Sequence, residues 1–311
     1  MNRLLFNVYN LPLWLLTLLP LNVLYLLSDF FFVIIYLAGY RKKVVMTNLQ
    51  NSFPEKPQSE LKKIARRFYR HFCDSFIESI YALHISENEI SKRFHYKNAE
   101  ILNRYYKENK SVILVFGHYA NWEWLNGMPL FVKHQVTALY HPLTNRFFDE
   151  LFKEIRCKFG VKLISMKSAY KEMLSDAQKG IVTATYFLTD QRPVWSSIRY
   201  WTTFLNQETP VLTGSEVIAA KLNQPVIYLN IRKIRRGYYE AAFEIISENP
   251  GQAKEFEITE QHTRKLEESI KQNPEYWLWS HKRWKHKREE IEKRLKKNHV
   301  KNSNRNTQLE R

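Results

Sequence analysis

His118 and Glu123, a histidine and a glutamate five residues apart, are the residues in this sequence best suited by type and spacing to carry chemistry. A carboxylate in contact with an imidazole holds one tautomer and stabilises the imidazolium, which makes the imidazole a competent general base for a hydroxyl. On a continuous helix, residues five apart diverge by about 140°, so the two side chains meet only if the chain turns between them. The alternative is that His118 forms its hydrogen bonds with the backbone of the turn itself and has no catalytic role.

The local pattern predicts such a turn. Residues 111–116 form a short apolar run, flanked by charged residues and a glycine, which is typical of a strand buried on both faces. Asn121 is a typical N-cap, and apolar residues follow it at helical spacing. His118 is therefore expected between strand and helix, and Glu123 in the first helical turn. The backbone N–H groups near Asn121 are candidate donors to an oxyanion.

The remaining pattern alternates strands with amphipathic helices. Strands are expected at residues 135–140, 160–164, 181–187, 225–232 and 238–246, the last antiparallel to its predecessor, and helices at 59–82, 146–159, 168–179 and 215–222. This order predicts an α/β fold with a mixed, largely parallel central sheet flanked by helices.

Three polar residues, Asp190, Gln191 and Arg192, follow the strand predicted at 181–187. Ligands of open α/β sheets bind outside the carboxyl ends of the strands, so these residues are candidates for the same site as His118. A role for Asp190 in capping the turn is the alternative.

Composition limits the partners and the cofactors. The chain has 311 residues, 44% of them apolar, and 48 basic against 31 acidic residues give a net charge of +17. This excess of positive charge indicates an anionic partner. Nucleic acid, acidic lipid and an acidic protein all fit. Cys73 and Cys157 are too few for a disulfide framework, and neither is expected to be catalytic. No metal-ligand spacing or phosphate-binding glycine loop occurs, so we expect neither a metal nor a cofactor.

The N-terminal region, residues 1–43, is predicted to be a membrane anchor. Residues 11–40 are almost wholly apolar but are interrupted by prolines and by Asp29, and a basic cluster follows at 41–43. One tilted span, a kinked pair of half-inserted helices and a buried core helix all fit this pattern. The basic cluster places the rest of the protein on the cytoplasmic side. Residues 44–286 then form the main domain and 287–311 a basic, disordered tail.

Residues 116–124, FGHYANWEW, resemble the HxxxxE/D block of the bacterial lipid A late (secondary) acyltransferases, which are similar to lysophospholipid acyltransferases. Other stretches resemble the same family in the same order along the chain: Asn48 and Leu49 before Phe53 and Pro54, Asp190 with Gln191, the segment around Gly214, and Trp277, His281 and Trp284. Helical spacing would put these last three on one helix face.

In one place the chain departs from the family pattern. The residue before Pro142 is usually arginine in the family, and here it is His141. His141 or Arg146 therefore remains the candidate cation for a developing negative charge or for a phosphate of the acceptor. A simple turn position is the alternative for His141.

The resemblance implies a glycerolipid-acyltransferase-like fold and a membrane-attached acyltransferase at the bacterial inner membrane, with its catalytic domain on the cytoplasmic side. It would move a fatty acyl chain from an acyl carrier protein thioester to a hydroxyl of an anionic glycolipid, a lipid A precursor. His118 would be the general base and Glu123 its partner, while inner-membrane lipids, but no nucleic acid, would be further partners. Another lipid acceptor, and a non-catalytic membrane tether or nucleic-acid binder, are the alternative functions.

Overall fold

The structure, a computed structural model, describes residues 11–293. The first ten residues, and residues 294–311 of the tail predicted at 287–311, lie outside the described part. A seven-stranded sheet is built from β1 (Phe94–Lys97), β2 (Val112–Phe116), β3 (Gln135–Tyr140), β4 (Lys162–Ser165), β5 (Thr183–Leu188), β8 (Val226–Arg235) and β9 (Tyr238–Ser247). A separate antiparallel hairpin is formed by β6 (Tyr200–Phe204) and β7 (Gln207–Val211).

Strand β2 lies at the centre of the sheet, whose order is β1-β9-β8-β2-β5-β3-β4. It pairs in parallel with β8 on one side and β5 on the other, and all five of its residues are buried. The only antiparallel pairing in this sheet, within residues 11–293, joins β8 to β9. The predicted α/β class with a largely parallel sheet is thus confirmed. The prediction was possible because strands buried on both faces appear in the sequence as continuous apolar runs.

Nine α-helices lie wholly within residues 11–293: α1 (Leu21–Leu37), α2 (Lys42–Ser52), α3 (Gln58–Tyr81), α4 (Glu87–Arg93), α5 (Glu100–Lys107), α6 (Arg146–Cys157), α7 (Ala169–Gln178), α8 (Gly214–Leu222) and α9 (Glu257–Gln272). Residues 11–16 and 288–293, at the two ends of the described part, are also helical. The predicted helices correspond to α3, α6, α7 and α8 within a few residues. The short elements β1, α4 and α5, the β6–β7 hairpin and α9 were not predicted.

Helix α1 packs on α3 through one face and leaves the other exposed. Its buried residues are Leu21, Leu24, Tyr25 and Ser28, which recur at helical spacing. Its exposed face carries large apolar side chains, among them Leu26, Phe30 and Leu37 at 69%, 61% and 79% exposure. Within residues 11–293 no single helix meets the length and apolarity needed to cross a membrane, and α1 and α2 meet both only as a pair bent by 85°.

Asp29, which interrupts the apolar N-terminal run, is explained by ion pairs with the body of the domain. Arg236, in the turn between β8 and β9, donates to both carboxylate oxygens of Asp29 at 2.9 and 3.0 Å, and Arg70 of α3 donates at 3.1 Å. The Arg236 side chain also binds Asp74 of α3. Helix α1 is therefore held to the domain by charge pairs as well as by apolar packing.

Two local predictions were wrong in detail. The helix after His118, Trp122–Leu130, is a 3₁₀ helix that contains Pro129, which lacks an N–H for a regular α-helical ladder. Residues 277–284 form turns instead of a helix, and Trp277 makes a β-bridge to Tyr119. The aromatic side chains still meet, since the rings of Trp277 and Trp284 lie 5.8 Å apart.

Candidate active site

The register of two central strands brings His118 to Asp190. Strands β2 and β5 run in parallel with Phe116 opposite Leu188, so His118 and Asp190 each follow their strand by two residues. Gly117 makes this approach possible. A Cβ at Gly117 would lie 2.7 Å from the side chain of Leu266, which is closer than packed atoms allow, and in a tight contact of 3.2 Å with Asp190.

Asp190 holds His118 through two hydrogen bonds. Nδ1 of His118 lies 2.6 Å from Oδ1 of Asp190, and the backbone N–H of His118 donates to Oδ2 at 2.9 Å. The indole N–H of Trp277 also donates to Oδ2, at 2.8 Å. These three contacts fix both the carboxylate and the plane of the imidazole.

The environment keeps Asp190 ionised. Burial by itself would raise the pKa of this carboxyl, but the charge and hydrogen bonds of His118, with the hydrogen bond from Trp277, lower it to about 2. An ionised carboxylate only accepts hydrogen bonds, so the proton between the two groups is on Nδ1 of His118. In the uncharged form of this imidazole the lone pair is then on Nε2.

Nε2 of His118 faces a polar neighbour at the cavity wall. The side-chain amide of Gln191 lies 3.1 Å from Nε2 and can donate to its lone pair. The imidazole also packs edge-on against Trp122, with ring centroids 5.1 Å apart. Only 16% of the His118 side chain is exposed, so the base is accessible from one side. The imidazole is thus held through Nδ1, and Nε2 is the ring nitrogen that faces the Gln191 amide.

Glu123 does not occupy the predicted place beside the imidazole. Its carboxylate binds the guanidinium of Arg156 through both oxygens, at 3.0 and 2.5 Å. Burial would raise the pKa of Glu123, but Arg156 and, less strongly, the charge of His118 lower it. The hydrogen-bonding carboxylate of His118 in the described chain is Asp190, and the expectation of direct contact with Glu123 is wrong. The turn carries Glu123 toward α6 instead.

The prediction that Asn121 caps the following helix is confirmed, and the cap uses up its side chain. Its Oδ1 accepts the backbone N–H of Trp124 at 3.0 Å, and its amide donates to Glu78 at 2.7 Å. The side chain is buried and is absent from the lining of the cavity described below. Asn121 thus positions the turn that carries His118, and its amide does not face a ligand.

His118 opens into a cavity of about 600 Å³, which lies at the carboxyl ends of β2, β3 and β5. This volume is in the range of small-ligand sites. Most of its wall is apolar. The apolar lining comprises Phe116, Trp122, Leu125, Ala138, Leu139, Leu143, Val161, Met166, Ala169, Tyr186, Phe187, Leu188, Pro193, Val194, Leu212, Gly214 and Ile218.

The polar part of the wall includes several predicted residues. His118, Glu123, Gln191, Arg192 and His141 all line the cavity, as does Arg156, which the sequence reasoning did not single out. The sequence around Arg156 does not indicate its role, because its partner Glu123 lies 33 residues earlier in the chain.

Of the two candidate cations, Arg146 lies outside the cavity. Arg146 is exposed at the start of α6 and is not part of the lining. His141 is also exposed, with Nδ1 3.0 Å from the carbonyl of Pro142. Of the two candidates, the structure brings only His141 to the cavity. Within residues 11–293, no group of three or more His, Cys, Asp or Glu side chains is arranged to hold a metal ion.

A parallel α/β sheet with an apolar cavity at the carboxyl ends of its strands, and a carboxylate-held histidine in the wall, is typical of an enzyme that acts on an apolar ligand. Comparison with known proteins defines the class further. The family described as "Bacterial lipid A biosynthesis acyltransferase" matches residues 2–286. The chain belongs to this family, and it is an acyltransferase of lipid A biosynthesis.

The individual relatives are distant in sequence, and two of the three described here align over most of the chain. The lipid A biosynthesis palmitoleoyltransferase of Escherichia coli (strain K12) is 22% identical over 247 residues, which are 79% of each chain. A lipid A biosynthesis acyltransferase of Shigella flexneri shows the same identity and coverage. A second protein of that organism, lipid A biosynthesis acyltransferase 2, is 25% identical over 148 residues, 46% of this chain and 45% of its own.

Proposed function

We propose that the protein transfers a fatty acyl chain from the thioester of an acyl carrier protein to a hydroxyl of a lipid A precursor, with His118 as general base. The observation that carries this proposal is that His118, held by Asp190, lies in the wall of a largely apolar cavity. The family supplies the reaction class, and the cavity is a place for an acyl chain beside the base.

The proposed reaction needs no covalent acyl-enzyme. Nε2 of His118 takes the proton of the acceptor hydroxyl as its oxygen forms a bond to the thioester carbon, and the carbonyl electron pair moves to oxygen. The tetrahedral intermediate then collapses, the carbon–sulfur bond breaks, and the imidazolium of His118 returns the proton to the departing thiolate. Holding both reactants in one cavity makes this step effectively unimolecular.

Asp190 takes the role that the sequence pattern assigned to Glu123. By accepting from Nδ1 it keeps Nε2 free to receive a proton, and its negative charge stabilises the imidazolium that forms. Glu123 acts at longer range. It holds Arg156 in the cavity wall.

We assign the cations of the cavity wall to the anionic acceptor. Arg156, Arg192 and His141 all line the cavity, and a guanidinium is well suited to bind a phosphate through two hydrogen bonds. The backbone N–H of Arg192 donates a hydrogen bond to Nε2 of His281 at 3.4 Å, which fixes the position of Arg192.

Contact with the inner-membrane lipids, from the cytoplasmic side, is proposed for the exposed face of α1. This face presents a run of large apolar side chains, including Leu26, Phe30 and Leu37, to the outside of the domain. Arg41, Lys42 and Lys43 follow directly and suit anionic head groups. The opposite face of α1 is fixed to α3, so the domain would lie against the bilayer.

Mass spectrometry of lipid A tests the proposed function. A strain that lacks the gene is expected to make lipid A lighter by one acyl group, and the wild-type gene should restore the mass. The His118→Ala variant, expressed to the same level, should not. Unchanged lipid A in the deletion strain, or full restoration by His118→Ala, would contradict the proposal.

A further inference from the structure

Helix α8 begins in the wall of the cavity that also contains the candidate base. The helix ends at Leu222, and β8 starts four residues later, at the amino end of β2, where Val226 pairs with Ile113. The nine residues of α8 span about 13 Å, and the helix packs against β2. Its first residue therefore lies at the carboxyl end of the sheet. Gly214 and Ser215 line the same cavity as His118.

The start of α8 has no side-chain cap. Its N-cap residue, Thr213, accepts no hydrogen bond from the first turn through its side chain. The first N–H groups of a helix have no acceptor within the helix, and they carry the positive end of its dipole. Gly214 is exposed toward the cavity, and a Cβ at that position would meet no atom within 4 Å. An anion in the cavity can therefore reach the backbone there.

A second feature of α8 points to a ligand. Ser215 is 98% buried, since only 2% of it is exposed, and its Oγ has no hydrogen-bond partner among the described residues. A buried hydroxyl left without a partner destabilises a fold, and native proteins pair nearly all such groups. Ser215 is one of the residues that line the cavity, so a ligand bound there lies next to this side chain.

We propose that the backbone N–H groups of Gly214 and Ser215, together with the Ser215 hydroxyl, bind the oxyanion of the tetrahedral intermediate. This inference rests on the proposed acyl transfer at His118. When the acceptor oxygen attacks the thioester carbon, the carbonyl electron pair moves to oxygen, and the three donors stabilise that charge. When the carbon–sulfur bond breaks, the charge leaves the oxygen and the donors release it.

An oxyanion fits this place better than a stationary phosphate. Ser215 and Gly214 are flanked in the cavity wall by apolar Leu212 and Ile218. In a site from which water is excluded, fixed donors stabilise a charge that develops during the reaction, and they need not reorganise. The sequence pattern had assigned this role to the helix start near Asn121, whose side chain already caps Trp124.

The Ser215→Ala variant tests the inference, with Thr213→Ala as the matched control. Thr213 is the adjacent hydroxyl residue, is also buried, and does not line the cavity. We expect Ser215→Ala to lower kcat by about 10- to 100-fold, no more than the loss of a typical oxyanion donor, with KM within about twofold of wild type. Because the change removes a buried hydroxyl without a partner, Tm should stay the same or rise. Thr213→Ala should keep the kcat of wild type.

Two results would overturn the inference. A kcat of Ser215→Ala equal to that of the wild type would exclude the hydroxyl from the transition state. A raised KM with unchanged kcat would show that α8 binds an anion of the ground state, such as a phosphate. Failure of the proposed function itself is recognised separately, because His118→Ala would then transfer acyl chains at the wild-type rate.

Discussion

Replacing Asp190 by asparagine should reverse the tautomer of His118. Oδ2 of Asp190 accepts two N–H groups, from the His118 backbone and from Trp277. An asparagine keeps both of these bonds only with its carbonyl oxygen in that position, so its NH₂ group must face Nδ1 of His118. A donor facing Nδ1 leaves the lone pair on Nδ1 and the proton on Nε2, which can then no longer accept a proton from a hydroxyl.

The expected loss is large because the base is disabled while the fold is kept. In the hydrolytic triad, the equivalent change lowers kcat by about 10⁴-fold, and we expect a loss on the order of 10³- to 10⁴-fold for Asp190→Asn. The assay is acyl transfer by the purified full chain, with the acyl carrier protein thioester as donor and a lipid A precursor as acceptor. Both kcat and KM are measured, and KM should change little.

Asp176→Asn is the matched control. Asp176 is another buried aspartate, paired with Lys162 at 2.7 Å, and it does not line the cavity. Its variant loses a carboxylate of similar burial and should retain the kcat of wild type. If Asp190→Asn kept more than about a tenth of the wild-type kcat while the control behaved as expected, the assignment of Asp190 as the positioning residue would be refuted.

Further predictions concern the neighbours of this pair and the exposed face of α1. Glu123→Gln should lower kcat/KM by about tenfold, much less than Asp190→Asn, because it frees Arg156 without changing the tautomer; a larger loss than for Asp190→Asn would favour Glu123 as the partner. Trp277→Phe should lower the free energy of unfolding by about 2 kcal/mol in urea titrations, since it removes a hydrogen bond to a buried charge. Leu26→Glu should weaken binding to anionic vesicles by about tenfold or more in co-sedimentation and leave Tm unchanged, because the side chain is exposed; undiminished binding would exclude this face. The lowered pKa of Asp190 stabilises the fold above about pH 4, and this contribution, up to about 2 kcal/mol, should vanish as the pH falls to about 2; acid unfolding of Asp190→Asn should lack this dependence.

The central strands and their order of appearance were predictable because buried parallel strands are continuous apolar runs. The run at 111–116 and the run at 135–140 correspond to β2 and β3 almost to the residue. The elements that were missed have weaker patterns. Strand β1 has four residues of mixed burial, and the β6–β7 hairpin packs outside the main sheet.

The site was predictable only in part, because its contacts depend on which strands become neighbours. The sequence identified His118 from its turn and Asp190 from its place after a strand. It could not show that β2 and β5 are adjacent and in register, which is what brings these two side chains together. Glu123 is nearer to His118 in the chain, yet Arg156 of α6 draws its carboxylate away.

The contacts of Trp277 and Asp29 could not be predicted either, because their partners are distant in the sequence. Trp277 lies 87 residues from Asp190 in the chain, and only the fold shows that its indole N–H binds that carboxylate. Asp29 interrupts an apolar run, and its pairing with Arg236 across 207 residues carries no local signal.

The single-turnover rate of acyl transfer by His118→Ala tests the central claim most directly, with donor and acceptor both bound at saturation. Because a positioned general base contributes about 10²- to 10⁴-fold, the folded variant should react at least about 100-fold more slowly than wild type, with unchanged donor binding. A single-turnover rate equal to that of wild type would contradict the claim that the imidazole held by Asp190 removes the proton of the acceptor.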